Sequence, residues 1–101
     1  MEAKLPIALK VNDLDNVATL FSNGGKAGAE IEIRDKKGES SFITLKNDIH
    51  YGHKIALCPI TAGSDIVKYG ESLGEASRDI TAGEHVHVHN LDSKRGRGDR
   101  A

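Results

Sequence analysis

The stretch Ile80-Thr81-Ala82-Gly83-Glu84-His85-Val86-His87-Val88-His89-Asn90 decides the fold, because it joins a corner to a strand. Its opening recurs in outline at Ile49-His50-Tyr51-Gly52 and Ile60-Thr61-Ala62-Gly63, so Ile-x-x-Gly occurs three times between residues 49 and 83. Each copy continues into a β-branched segment: His53-Lys54-Ile55, Ser64-Asp65-Ile66 and Glu84-His85-Val86. The unit reads as a recurrent corner. Its isoleucine anchors the turn in the core, its glycine supplies a positive φ, and the chain folds back as the next strand. A body of short strands crossing at sharp angles follows, not a long regular sandwich.

Past the last corner, His85, His87 and His89 alternate with Val86 and Val88. As a strand over 85–89, period-two geometry sets the three histidines on one face and the valines on the other. Neutral imidazoles can bind metal, carry protons or donate to an anion. Along a strand, neighbours in that row stand roughly 7 Å apart and His85 and His89 about 13 Å apart. Two of them can share an ion, His87 with His89 or His85 with His87, but three cannot. A solvated histidine face on an ordinary amphipathic strand is the competing reading.

The rest of the chain has the same character. Strands are predicted over 7–11, 17–21, 30–34, 41–45, 54–57, 66–68, 75–78 and 85–89, separated by turn residues. Asn23-Gly24-Gly25 and Asp35-Lys36-Lys37-Gly38 are strong turn signals, the second placed like a hairpin loop. Asp48 and Asp79 each precede a corner isoleucine, which suits turn hydrogen bonds. No segment carries a helical stripe with caps at both ends, so the fold class is all-β.

Composition narrows the function. The 101 residues make one domain with a modest core; with no Trp, two Phe and two Tyr, that core must be built from small aliphatics. A formal net charge of −1 argues against general nucleic-acid binding. The single cysteine, Cys58, cannot pair internally and suits a reducing compartment; its neighbours Ala56, Leu57 and Ile60 predict a buried thiol. No run approaches the roughly 20 apolar residues of a membrane span, so a soluble, cytoplasmic protein is expected. The domain is expected to occupy residues 1–90. Residues 91–101 read as a flexible basic tail, whose Lys94, Arg95 and Arg97 would suit an anion or simply aid solubility.

Several motifs, in order, carry a family resemblance: Asp15-Asn16-Val17-Ala18, Gly52-His53-Lys54-Ile55-Ala56-Leu57, Val67-Lys68-Tyr69-Gly70 and Ile80 through Asn90. From about Val11 to Asn90 the chain resembles the SAF domain of the altronate/galactarate dehydratase family. The resemblance implies a β-clip fold, similar to type III antifreeze protein. It also implies a small subunit, or an excised N-terminal domain, that works with a large catalytic subunit. Such enzymes remove water from sugar acids such as altronate and galactarate. A close branch, (2R)-sulfolactate sulfo-lyase, eliminates sulfite from sulfolactate. Both are β-eliminations that need a base, an acid and stabilisation of developing charge. The family implies a divalent metal, Fe2+ or Mn2+, held mainly by the large subunit.

On that resemblance His87 and His89 are candidates for acid, base or metal ligand. Asn90, Lys54, Lys68 and His53 are candidates for contacting the anionic sugar-acid substrate, while His50 is expected to be merely exposed and Asn16 to close a turn. Two rivals stay open: an autonomous carbohydrate or sugar-acid-binding module, and a metal-handling protein that uses the histidine row. Homo-oligomerisation is also open, because a modest core gains from burying a face on a partner.

Overall fold

The computed structural model describes residues 5–21 and 24–93. Among the described residues nine strands form two sheets: β1 (Ile7–Lys10), β2 (Val17–Leu20), β3 (Glu30–Asp35), β4 (Ser40–Thr44), β5 (Lys54–Ala56), β6 (Asp65–Lys68), β7 (Glu71–Ala76), β8 (His85–Val86) and β9 (Leu91–Ser93). The larger sheet runs β4-β3-β1-β2-β5-β8 and the smaller β6-β7-β9; β1 and β3 are parallel and the other pairs antiparallel. The described residues contain no helix, hence none long and apolar enough to cross a membrane. The fold is all-β, a curled arrangement of short strands, as the sequence predicts.

The corners explain the curl. Four chain reversals share one pattern, in which a backbone N–H donates three residues back: Ala29 to Lys26, His53 to His50, Ser64 to Thr61 and Glu84 to Thr81. Each has a glycine at its third position with φ between 82° and 89°, the conformation a type II turn demands. The corners also pair. Ile60 and Ile80 exchange two backbone hydrogen bonds of 2.8 Å, and Gly25 and Ile49 exchange two of 2.8 and 2.7 Å. Asp79 Oδ1 accepts the Ala62 N–H at 2.9 Å, and Asp48 Oδ1 accepts the Ala27 N–H at 2.8 Å. The three Ile-x-x-Gly copies thus belong to a set of four, built as two equivalent pairs. The fourth, Gly25 to Gly28, hides in sequence because a Cβ at Gly25 would come within 2.5 Å of Leu45 Cδ1.

Two cores flank the central strands. One holds Ala8, Ala18, Leu20, Ile31, Ile33, Leu45, Ile49 and Ile55; the other holds Val17, Ala56, Ile60, Ile66, Ala76, Ile80 and Val86. β2 is buried throughout because successive residues feed opposite cores, Val17 one way and Ala18 the other. Phe21, Phe42, Tyr51 and Tyr69 all stay exposed, which leaves the interior to aliphatics. Asp15 and Asn16 join the two sheets. Asp15 accepts from the Val11, Asn12 and Gly70 N–H groups, and Asn16 receives the Val67 N–H at 2.8 Å while donating to the Asp65 carbonyl. Burial of the Asp15 carboxyl opposes ionisation, but the backbone donors from Gly70, Asn12, Tyr69 and Val11 prevail and lower its pKa.

Several boundaries differ from expectation. The hairpin at Asp35 forms as predicted, with Asp35 Oδ1 receiving the Lys37 and Glu39 N–H groups. The strand predicted at 75–78 starts instead at Glu71, because the two-residue turn Tyr69-Gly70, with φ 57° and 76°, pairs Lys68 directly with Glu71, and the register then shifts between Ile66 and Val67. Leu91–Ser93, assigned by sequence to the tail, form β9 against β7; Gly74 permits the approach, because a Cβ there would meet the Asp92 carbonyl oxygen at 2.1 Å. The basic remainder, including Lys94, Arg95 and Arg97, lies outside the described residues, as does Asn23 of the predicted turn. Cys58 is exposed, not buried: it follows β5 in the bend before Ile60, while Leu57 packs against one core and Ile60 enters the other.

Candidate functional site

The expected strand 85–89 stops at Val86, and Asn90 is the cause. Its side-chain oxygen receives the His87 N–H at 3.0 Å, its amide nitrogen donates to the His85 carbonyl at 2.9 Å, and its own N–H donates to the His87 carbonyl at 3.0 Å. These bonds close a turn over His87 to Asn90 in place of a ladder. Val88, expected to be buried with Val86, is 78% exposed. Asn90 itself is fully buried, and its amide is committed to the backbone instead of facing a substrate.

That turn changes the histidine geometry. His87 folds back toward β5 and β8, where Ile55 pairs with His85 and the His53 ring lies beside both. Ring centroids are 5.0 Å apart for His53 and His85, 4.6 Å for His53 and His87, and 5.5 Å for His85 and His87, all stacked. His53 Nδ1 and His85 Nε2 meet at 2.9 Å. His89 tilts against His85 at 5.4 Å, not the 13 Å of an extended strand, and His50 packs edgewise on His53 at 5.5 Å. All five histidines therefore form one connected group.

The row still offers only two of its members to one ion, the expected pair His85 and His87, and the third donor comes from His53 on the neighbouring strand. One ligand nitrogen from each of His53, His85 and His87 lies within 4.8 Å of the other two. His89, expected to ligate with His87, lies outside this trio; His53 and His85 take its place because β5 and β8 are paired. No carboxylate belongs to the trio among the described residues. Three imidazoles suit a borderline divalent ion, so the donors fit the kind of metal the family implies.

The electrostatics disfavour charge on His85 and His53. Burial, then the positive potential of His53, His89, His87 and His50, pushes His85 down to about 4. His53 is also lowered, by burial first and then by His87, His50 and Lys54. Crowded imidazoles resist protonation because each added charge repels the next.

The predicted lysines lie elsewhere. Lys54 pairs with Val86, one step along from the Ile55–His85 pair, so alternation directs it to the opposite side of β5. There it is half-buried, and burial followed by the Lys68 charge lowers its pKa. Lys68 sets its ammonium 4.7 Å above the Tyr69 ring. The structure thus gathers His53, His87 and His89 on one face, sets Lys54 on the other side of β5 within electrostatic reach of His53 and Lys68, and buries Asn90 beneath. Beside His50 opens a depression of about 210 Å³ lined by Gly24, Gly25, Lys26 and Asp48, which adds no side chain to the trio. His53 joins the histidine face as expected, while its specific pairing with His85 was not visible in spacing; the repeated corner held that signal, since it aligns the two strands that follow it.

An all-β domain of paired corners with a histidine-lined edge defines a SAF-type β-clip domain. The family model for the altronate/galactarate dehydratase SAF domain matches residues 6–94, and the chain belongs to that family. It is 39% identical over 82 residues to altronate dehydratase of Escherichia coli and 58% identical over 66 residues to altronate dehydratase of Bacillus subtilis. These matches cover 81% and 59% of this chain but only 15% and 13% of the relatives' lengths. It is also 32% identical over 94 residues to the (2R)-sulfolactate sulfo-lyase subunit alpha of Chromohalobacter salexigens, covering 90% of this chain and 99% of that subunit.

Proposed function

We propose that this chain is the SAF-domain component, the small subunit, of an altronate dehydratase-like sugar-acid dehydratase, and lines the active site of a large catalytic subunit. The observation that carries the reading is the histidine face in a chain of this family. Members named as dehydratases are far longer than the matched segment, which supports a catalytic partner region. Exposed Tyr51 and Val88 stand next to His50 and between His87 and His89, an apolar fringe suited to burial against that partner.

β-Elimination of water takes the proton from the carbon next to the carboxylate and expels hydroxide from the neighbouring carbon. His87 and His89, at the accessible rim, serve as the proton carriers: a neutral imidazole accepts the α-proton, and an imidazolium returns one to the leaving hydroxide. His85 holds its neighbours in place and stays neutral. The divalent metal, Fe2+ or Mn2+ held mainly by the large subunit, would stabilise negative charge developing beside the carboxylate. Lys54 and Lys68 stand apart from this proton chemistry.

A second reading, the small subunit of a (2R)-sulfolactate sulfo-lyase, is favoured by similarity over 90% of the chain to a subunit so named. Co-expression with the large subunit, followed by assay against altronate, galactarate and sulfolactate, tests both. Turnover of a sugar acid by the complex, absent from either chain alone, is expected. His87→Ala and His89→Ala should each lower kcat by about 100-fold, the scale of a lost acid or base. Turnover by this chain alone would overturn the proposal, as would sugar-acid binding by the isolated chain with no effect on a partner's activity.

A further inference from the structure

We propose that His53, His85 and His87 form a transition-metal site carried by this domain itself, complete without ligands from a partner. Two metal-bound imidazole nitrogens, each about 2.1 Å from an ion, stand about 3.0 Å apart in octahedral and 3.4 Å apart in tetrahedral geometry. His53 Nδ1 and His85 Nε2 already stand 2.9 Å apart, aimed at each other. One nitrogen of each of the three rings lies within 4.8 Å of the other two, so a closure of at most about 1.4 Å completes a tetrahedral set and about 1.8 Å an octahedral facial one.

The supports are rigid where they need to be. His85 sits in β8, paired with Ile55 of β5, and its N–H is held by Asn47 Oδ1 at 2.9 Å. His87 is fixed by the buried Asn90 side chain. His53 follows a corner whose glycine has φ 82°. Without an ion the two facing nitrogens share one proton, since one must donate and the other accept. With an ion, the donating ring shifts its proton to its other nitrogen, so both rings remain neutral and both lone pairs point inward. All three rings are only half-buried, which leaves the outer positions open to water or an anionic oxygen. Three neutral nitrogen donors and no carboxylate select a borderline first-row ion over Mg2+ or Ca2+.

The site stands or falls separately from the enzyme reading, because it needs neither a large subunit nor a substrate. Titrating the full chain with Co2+, as a spectroscopic stand-in for first-row divalent ions, should give one saturable equivalent with visible d–d absorption and calorimetric heat. With Zn2+, imidazole 15N spectra of the unaltered chain should show ligation through His53 Nδ1 and His85 Nε2, a readout that requires no variant to fold. His53→Ala, His85→Ala and His87→Ala should each weaken binding by at least about tenfold, whereas His50→Ala and His89→Ala should change it by less than about threefold. Absence of saturable binding would overturn the site. So would binding that survives His85→Ala, or that His89→Ala weakens as much as His87→Ala does.

Discussion

His53 Nδ1 and His85 Nε2 meet at 2.9 Å across two neighbouring strands, and that contact admits one proton but not two. Protonating both rings would set two N–H groups against each other in a half-buried crowd. The contact therefore links the histidine face to the stability of the whole domain.

The pH dependence follows with a definite sign. His85 is held near 4 in the folded chain against an ordinary value of 6.5, so between those values the unfolded chain binds the extra proton. Stability should be fully present above about 6.5 and fall as pH is lowered toward 4, with His53 adding in the same direction. Urea unfolding at pH 7 and pH 4.5 measures the loss, and His85→Asn should flatten the profile. A midpoint unchanged between the two pH values would contradict the buried, unprotonated state of His85.

Asn90 is predicted to be structural. Asn90→Ala leaves the His87 N–H and the His85 carbonyl without their partner in a buried setting, a loss of about 2–4 kcal/mol for two such bonds. Asn90→Asp should be milder at neutral pH, since a carboxylate still receives the His87 N–H. Denaturant midpoints of the two variants order these costs; a midpoint for Asn90→Ala equal to that of the unaltered chain would sink the account of the turn.

Equivalent corners should respond unequally to the same change. At Gly83 a Cβ would stand 2.1 Å from the Thr44 carbonyl oxygen, whereas at Gly63 nothing lies within 4 Å, and φ is 89° and 87°. Gly63→Ala should cost only the left-handed backbone strain, about 1–2 kcal/mol. Gly83→Ala should cost clearly more and reduce the soluble yield. Thermal unfolding of both variants decides it, and equal losses would mean that the Thr44 contact is unimportant.

Thr19 offers a stabilising change. Its side-chain oxygen is buried and has no hydrogen-bond partner among the described residues. Thr19→Val keeps the shape and removes the unsatisfied hydroxyl, so it should raise stability by about 1 kcal/mol. A lower melting temperature in the variant would show that the hydroxyl finds a partner in solution.

Much of this fold was legible in the chain because its corners are local. Ile-x-x-Gly and the Asp35 loop act within a few residues of themselves, so their types announce their geometry, whereas Asp48 and Asp79 reach across to the partner corner at Ala27 and Ala62. The histidine face was legible in composition but not in arrangement. Strand periodicity extended the row through His89, yet the Asn90 side chain competes for the same backbone groups and ends the strand at Val86. The pairing of His53 with His85 depends on the register of β5 and β8, which no spacing within one strand reveals. β9 escaped notice because its three residues gain their order from Gly74 on another strand.

The contact between His53 and His85 spans 32 residues of sequence, and that interval contains the whole of β6 and β7. The rings come together only where this long segment has folded back on itself, so their contact closes a loop of 32 residues. An ion held between them would act as a removable crosslink, closing a loop whose ends otherwise cost several RT in chain entropy to bring together. The same imidazoles would then also fasten the second half of the domain to the first.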